Sequence, residues 1–350
     1  MEGGACVDPS KYELPVYAAA HFAVDLACAC AVYAHAAGLA ETAMLYLFYN
    51  FCAFALQMPL GILVDRLGVG RCFASAGCGL VLMAGMFQQT PWMTILLAGL
   101  GNALFHIGAG GAVLERGKGF SALGLFVAPG AFGIWLGGRY GASDTIYWTA
   151  LLALALCFAG TIRLCARVRR KPAPAVPVCP NARVCVCLFA VVVLRSYAGL
   201  AQSFPWESST LHAALLITGV VCGKAVGGLA ADRFGAQRVS LCSLACAAAL
   251  YACAAWPPAA ILATFLFNIT MPVTLGALAG HLPGRRAFAF GALTFALFLG
   301  YLPVWLGARA VLPLPVVALL SLVLLLLGLH EGRGTGDSCA ACVACADARD

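Results

Sequence analysis

Charge is scarce in this chain. Only 10% of its 350 residues are Asp, Glu, Lys or Arg, and the carboxylates number 14. Soluble domains carry about 25% charged residues. With 63% hydrophobic residues, the apolar surplus cannot be buried in a water-soluble core and must face lipid. Other absences narrow the chemistry. Neither His-Glu-x-x-His nor Gly-x-Ser-x-Gly occurs, which removes the clearest signatures of zinc peptidases and α/β-hydrolases. Residues 1–14 hold Glu2, Asp8 and Glu13 and lack the basic start of a signal peptide, so a retained first helix is expected. The 18 cysteines look like a disulfide framework until they are placed. Cys28, Cys30, Cys52, Cys78, Cys222 and Cys246 fall inside apolar runs, where thiols act as small hydrophobes.

Long apolar runs are what the chain has instead. Twelve stretches of about 20 residues, separated by short polar joints, fit helices crossing a ~30 Å hydrocarbon slab. They fall into two sets of six, and a repeated word marks the division. Gly61-Ile-Leu-Val-Asp65-Arg66-Leu-Gly68-Val-Gly-Arg71 returns 167 residues later as Gly228-Leu-Ala-Ala-Asp232-Arg233-Phe-Gly235-Ala-Gln-Arg238. The same offset carries Gly117 and Gly124 onto Gly284 and Gly291. A fixed offset held by scattered landmarks means two copies of one structural unit. Duplicated halves in so apolar a chain point to a secondary transporter with its substrate site between them. The expected organisation is an all-α membrane protein: a six-helix bundle over 1–165, a linker over 166–182, a second six-helix bundle over 183–331 and a tail over 332–350. Four prolines in the basic joint, Pro172, Pro174, Pro177 and Pro180, cannot continue a helix.

The formal net charge of +7 would suggest nucleic acid in a soluble protein. Its distribution says otherwise. With the N-terminus inside, the inner loops hold Arg66, Arg71, Arg116, Lys118, the cluster from Arg163 to Arg183, Arg233, Arg238, Arg285 and Arg286, and the outer loops only Arg139 and Arg309. This positive-inside bias places both termini in the cytoplasm and the chain in the cell membrane. No nucleic-acid partner is expected. In the tail, Cys339, Cys342 and Cys345 are spaced by three, but structural zinc takes four ligands, and reduced thiols without metal are expected there. No cofactor is expected, and the chain is read as a monomer.

Each copy of the repeated word sits at a cytoplasmic turn. Glycine at its start admits a neighbouring helix, and Asp65 and Asp232 are placed to accept hydrogen bonds from a helix N-terminus. The pattern resembles the cytoplasmic-loop signature of the major facilitator superfamily, and the two halves of six spans resemble that family along essentially the whole chain. The resemblance implies an alternating-access transporter in which Gly61, Asp65, Arg66, Gly68 and Arg71 form a latch, with Gly228, Asp232, Arg233, Gly235 and Arg238 as its counterpart. A narrower likeness rests on Ala20-His21-Phe22 with Asp25, Gly101-Asn102-Ala-Leu-Phe105-His106 and Pro283-Gly-Arg-Arg286, which are similar to the fosmidomycin-resistance branch of exporters.

Ionisable groups inside the spans are costly unless paired or functional. His21 and Asp25 are one turn apart on a shared helix face, and Asn102 and His106 repeat that spacing. Asp25 and Arg195 lie about ten residues into the first and seventh spans, hence at similar depth, and a cross-half Asp25–Arg195 pair is expected. Asp25, with His21 and His106, is the expected proton-coupling group; imidazole titrates near neutrality. Arg195, Asn102, Asn268, Asn50 and Gln57 are the expected cavity residues, and Lys224 lies in the inner third of the eighth span. The expected function is proton-coupled export of a small organic molecule, with protons and the bilayer as further partners. The alternatives are uptake or facilitated diffusion of a small anionic metabolite and, from another class, an intramembrane enzyme built on His21, Asp25, Asn102 and His106.

Overall fold

The structure, a computed structural model, describes residues 10–117, 119–166, 181–308 and 312–330. Lys118, Arg309, the linker prolines and the tail cysteines Cys339, Cys342 and Cys345 lie outside the described residues. Within them every regular element is helical. The first copy of the repeat contains α1 (Ser10–Ala29), α2 (Thr42–Asn50), α3 (Gln57–Leu67), α4 (Gly70–Ala84), α5 (Pro91–Glu115), α6 (Gly119–Tyr140) and α7 (Asp144–Cys165). The second contains α8 (Ala182–Ala201), α9 (Thr210–Phe234), α10 (Ala236–Ala252), α11 (Pro257–Asn268), α12 (Thr270–His281), α13 (Arg286–Trp305) and α14 (Leu314–His330). A π-helical turn, Cys30–His35, prolongs α1, and another, Phe51–Ala55, joins α2 to α3.

The sequence punctuates these helices locally. Proline opens α5 and α11, where its missing N–H costs nothing. Asn181 caps α8 by accepting from the amides of Arg183 and Val184, and Ser209 caps α9 through His212. Gly68 ends α3 in the left-handed conformation, at φ 64°. Among the described residues nine spans are long and apolar enough to cross a membrane, α2 with α3 and α11 with α12 each counting as one. The shorter apolar helices α4, α10 and α14 have 15, 17 and 17 residues, about 23–26 Å of helix. Against the twelve spans expected, the described residues thus give nine helices of full spanning length and three shorter apolar ones.

Within the first copy, α1 packs on α5, α6 and α7, and α4 on α5 and α7. Within the second, α8 packs on α13 and α14, and α10 on α11 and α14. The largest crossings between the copies are α3 against α13 and α9 against α6, with smaller ones of α5 on α13 and α6 on α12. The two largest are made by the repeated word. A Cβ at Gly61 would lie 2.7 Å from the carbonyl oxygen of Ala287, and one at Gly228 would overlap that of Phe120. Partners at the offset of 167 return the contact: Gly291 sits on the carbonyl of Gln57, and Gly124 on that of Lys224. Helices without a hydrophobic drive between them associate through such close backbone approach.

Candidate functional site

Two helices bring the buried polar groups together. His21 and Asp25 share a face of α1, Asn102 and His106 share a face of α5, and all four are at most 6% exposed. Asp25 accepts from Asn102 Nδ2 at 2.9 Å and lies 3.2 Å from His21 Nε2 and 3.7 Å from His106 Nε2. From α6, the carbonyl of Phe126 stands 2.7 Å from His21 Nδ1, while the carbonyl of Asn102 stands 2.8 Å from His106 Nδ1. Gly130 closes the cluster; any Cβ there would run into His21 Nε2 and Asp25 Oδ2.

The partners of the ring nitrogens constrain where hydrogens sit in this cluster. Carbonyl oxygens only accept, so both Nδ1 atoms carry hydrogen. The two Nε2 atoms are nevertheless 2.9 Å apart, a hydrogen-bond distance that two facing lone pairs would not tolerate. The two Nε2 atoms thus face each other beside the Asp25 carboxylate, an arrangement in which one added proton can be shared between the rings. The same two nitrogens and the carboxylate lie within 4.8 Å of one another, a donor set that transition metals accept. Both rings also have the outer-shell carbonyls that metal-bound imidazoles use. The surrounding charge opposes a dication, because Arg195 and Lys224 line the same cavity as Asp25.

That cavity, of about 470 Å³, lies between the copies of the repeat. Asp25, Asn50, Arg195, Lys224 and Asn268 line it, together with Tyr33, Tyr49, Phe54, Trp135, Phe267 and Tyr301. Of the sequence candidates, Asn102, His21 and His106 stand behind Asp25 rather than on its surface. Gln57 is elsewhere: fully buried under Gly291, it donates to the Ala53 carbonyl at 2.6 Å. Asn50 and Asn268 spend their amides on carbonyls one turn back, Tyr46 and Thr264. The expected Asp25–Arg195 ion pair is not formed. Arg195 turns instead to α12, where its Nη2 donates to Thr270 at 2.6 Å and Thr274 at 3.4 Å. Those hydroxyls donate in turn to Phe267 and Thr270 carbonyls, leaving their oxygens free to accept. The i, i+4 threonine pair was a readable signal for this partner.

The cavity occupies one end of the helix array. Its lining includes the C-terminal halves of α1, α6, α8 and α13, the stretch of α9 from Ala213 to Lys224, and the ends of α2 and α11. At the opposite end the two repeated aspartates close the crossings. Asp65, at the end of α3, accepts from the amides of Ala287 and Phe288 at 2.9 and 2.8 Å. Asp232, at the end of α9, accepts from the amides of Phe120 and Ser121 at 2.8 and 2.7 Å and from the Ser121 hydroxyl. Each caps the first turn of a helix in the other copy, where orphan amides and the helix dipole favour a carboxylate. The arginines of the word behave differently from each other. Arg71 pairs with the buried Glu13 at 2.7 Å, which Arg116 also approaches at 3.3 Å, whereas Arg233 lies against the Phe234 ring. Glu13 is a buried carboxylate that sequence reading placed only near a terminus.

No family model and no curated protein matches the sequence. Solved structures do match in shape. The fucose:proton symporter of E. coli superposes with a TM-score of 0.64 at 14% identity, over 91% of this chain and 97% of that one. A structure of the major facilitator superfamily transporter FucP in the outward conformation gives 0.66 at 13% identity, over 93% and 99%. A bacterial homologue of the iron transporter ferroportin, in the outward-facing state, gives 0.59 at 13% identity, over 95% and 100%. Matching shape end to end at so low an identity, this chain has the fold of the major facilitator superfamily transporters.

Proposed function

We propose that this protein is a secondary active transporter that exports a small organic molecule by alternating access, driven by protons. The observation that carries the reading is the cavity between the two copies, accessible at one end and sealed at the other by two symmetry-related aspartate caps. Two six-helix halves, residues 1–165 and 183–331, rock about the shared cavity, with α4, α10 and α14 completing six spans in each. Breaking the caps at Asp65 and Asp232 while closing the rim exchanges the open end. Both termini and the capped end face the cytoplasm in the cell membrane, so the state described here opens outward. The Asp25–His21–His106 cluster holds a proton directly behind the cavity wall and supplies the coupling step. Likeness to a proton symporter supports that role; export follows the sequence resemblance, and uptake uses the same machinery in reverse.

An intramembrane enzyme is less well supported. The neighbours in shape are named as transporters, and a cavity between duplicated halves suits passage better than hydrolysis. Reconstitution into sealed vesicles with an imposed pH gradient tests the proposal. A compound panel should show accumulation that follows the gradient and disappears with protonophore. Asp25→Asn should abolish the gradient-driven accumulation while leaving substrate exchange. Accumulation by Asp25→Asn at the expense of the gradient would move the coupling proton elsewhere.

A further inference from the structure

Among the described residues, Arg195 is a buried cation without a counter-ion. It is 8% exposed, its only hydrogen-bond partners are the neutral hydroxyls of Thr270 and Thr274, and its Nε and Nη1 atoms have no acceptor among the described residues. Lys224, a second cation on the same cavity, also lacks a carboxylate within ion-pair distance among the described residues. No carboxylate among the described residues makes an ion pair with either cation. Asp25 is held by His21 and Asn102, and Glu207, on the cavity rim, is solvent-exposed. Desolvating an arginine with three N–H bonds unsatisfied is expensive. Nothing in the packing requires it, since α12 engages only one of its nitrogens.

We infer that the cavity binds an organic carboxylate, with its anionic group on Arg195 and Lys224 and an apolar or aromatic body against the aromatic wall. The inference rests on the transport reading for its physiological role, but the binding site stands on geometry alone. Guanidinium N–H groups pair with carboxylates through charge-assisted hydrogen bonds. Tyr49, Phe54, Trp135, Phe267 and Tyr301 give the rest of the cavity a surface that prefers flat apolar groups. A volume of about 470 Å³ falls within the ordinary range for small-molecule sites. Asp25 then serves the proton rather than the cargo, so the two charges need not compete for one partner.

Equilibrium binding to the purified full-length protein tests this, read by calorimetry and by the change in tryptophan fluorescence. The probes are acetate, benzoate, 3-phenylpropionate and succinate, each against its amide, with phenyl phosphate as a separate arm. The expected result is that an aromatic carboxylate binds at least tenfold tighter than its amide. Arg195→Gln should weaken the carboxylate by about tenfold to a hundredfold and leave the amide unchanged. Lys224→Gln should weaken it less, and Arg195→Lys should restore part of the loss. Carboxylates that bind no better than amides, or not at all, overturn the inference in the wild-type protein, whatever the folding of the variants. Phenyl phosphate binding tighter than every carboxylate overturns the carboxylate assignment. Binding is measured without a gradient, so the two readings fail separately. A carboxylate bound but never moved across vesicles refutes transport alone, and a neutral compound transported with no carboxylate bound refutes this inference alone.

Discussion

Gly130 decides whether the charged cluster can exist. Its missing side chain is the space that His21 Nε2 and Asp25 Oδ2 occupy. Both groups belong to a hydrogen-bonded set that includes Asn102, His106 and the Phe126 carbonyl. Gly130→Ala should therefore displace the pair rather than be absorbed by a flexible neighbour. The expected cost is about 1–3 kcal/mol of stability, the usual penalty of overpacking, together with loss of gradient-driven transport; thermal unfolding and vesicle assays measure the two. An alanine variant with full stability and coupling would mean that α6 can move away from α1. His106→Gln probes the shared proton. Glutamine keeps a polar group near Asp25 but cannot share a cationic proton with His21. The variant should keep cargo binding and lose coupling, and nitrogen NMR of the imidazoles should lose the signature of the shared proton. A coupled His106→Gln protein would show that His21 and Asp25 suffice.

At the scale of the element, the two aspartate caps are the parts with a conformational consequence. Each joins the end of one helix to the first amides of another in the opposite copy. A cap of this kind is worth about 1 kcal/mol. Asp65→Asn or Asp232→Asn should then shift the closed end toward opening by about fivefold, and the double variant by about thirtyfold if separate sites add. The readout is maleimide labelling, from the capped side, of a single cysteine placed at Phe288 in a background without native cysteines. A double variant that labels no faster than the parent would leave the caps without a gating role. The repeated word announced these crossings because Gly61 and Gly228 admit backbone while Asp65 and Asp232 end their helices one turn later. Sequence spacing also paired His21 with Asp25 and Asn102 with His106 on single helices. It could not show that α1 meets α5 at that level, which merges two pairs into one cluster. Depth along a span was legible for Arg195, but the direction it faces was not, because rotation about α8 is set by its packing on α13 and α14. Gln57 illustrates the same limit: its amide suggested a cavity donor, yet its carbonyl lies where Gly291 must pass.

For the whole molecule, orientation in the bilayer decides what the cavity means. The capped end carries Arg66, Arg71, Arg116, Arg233, Arg238, Arg285 and Arg286, while the cavity end offers Arg139 among the described residues. Basic residues near span ends are retained on the cytoplasmic side, so the capped end should lie inside and the cavity should open outward. Native thiols allow a direct measurement. Cys179 lies in the linker and Cys339, Cys342 and Cys345 in the tail, on the same side as the caps in this topology. A membrane-impermeant thiol reagent applied to intact cells should leave all four unlabelled, and applied to inside-out vesicles it should label them. The exposed thiols Cys222, Cys242 and Cys246 sit on apolar helix surfaces, where lipid should shield them from a polar reagent in both preparations. Labelling of the linker or tail in intact cells would reverse the orientation. The cavity of this state would then face the cytoplasm, and Asp25 would take its proton from the inside before cargo moved. The coupling proposed for Asp25 and the anion recognition proposed for Arg195 would survive that reversal, because both are argued from side-chain positions within the cavity and neither depends on which solution the cavity meets.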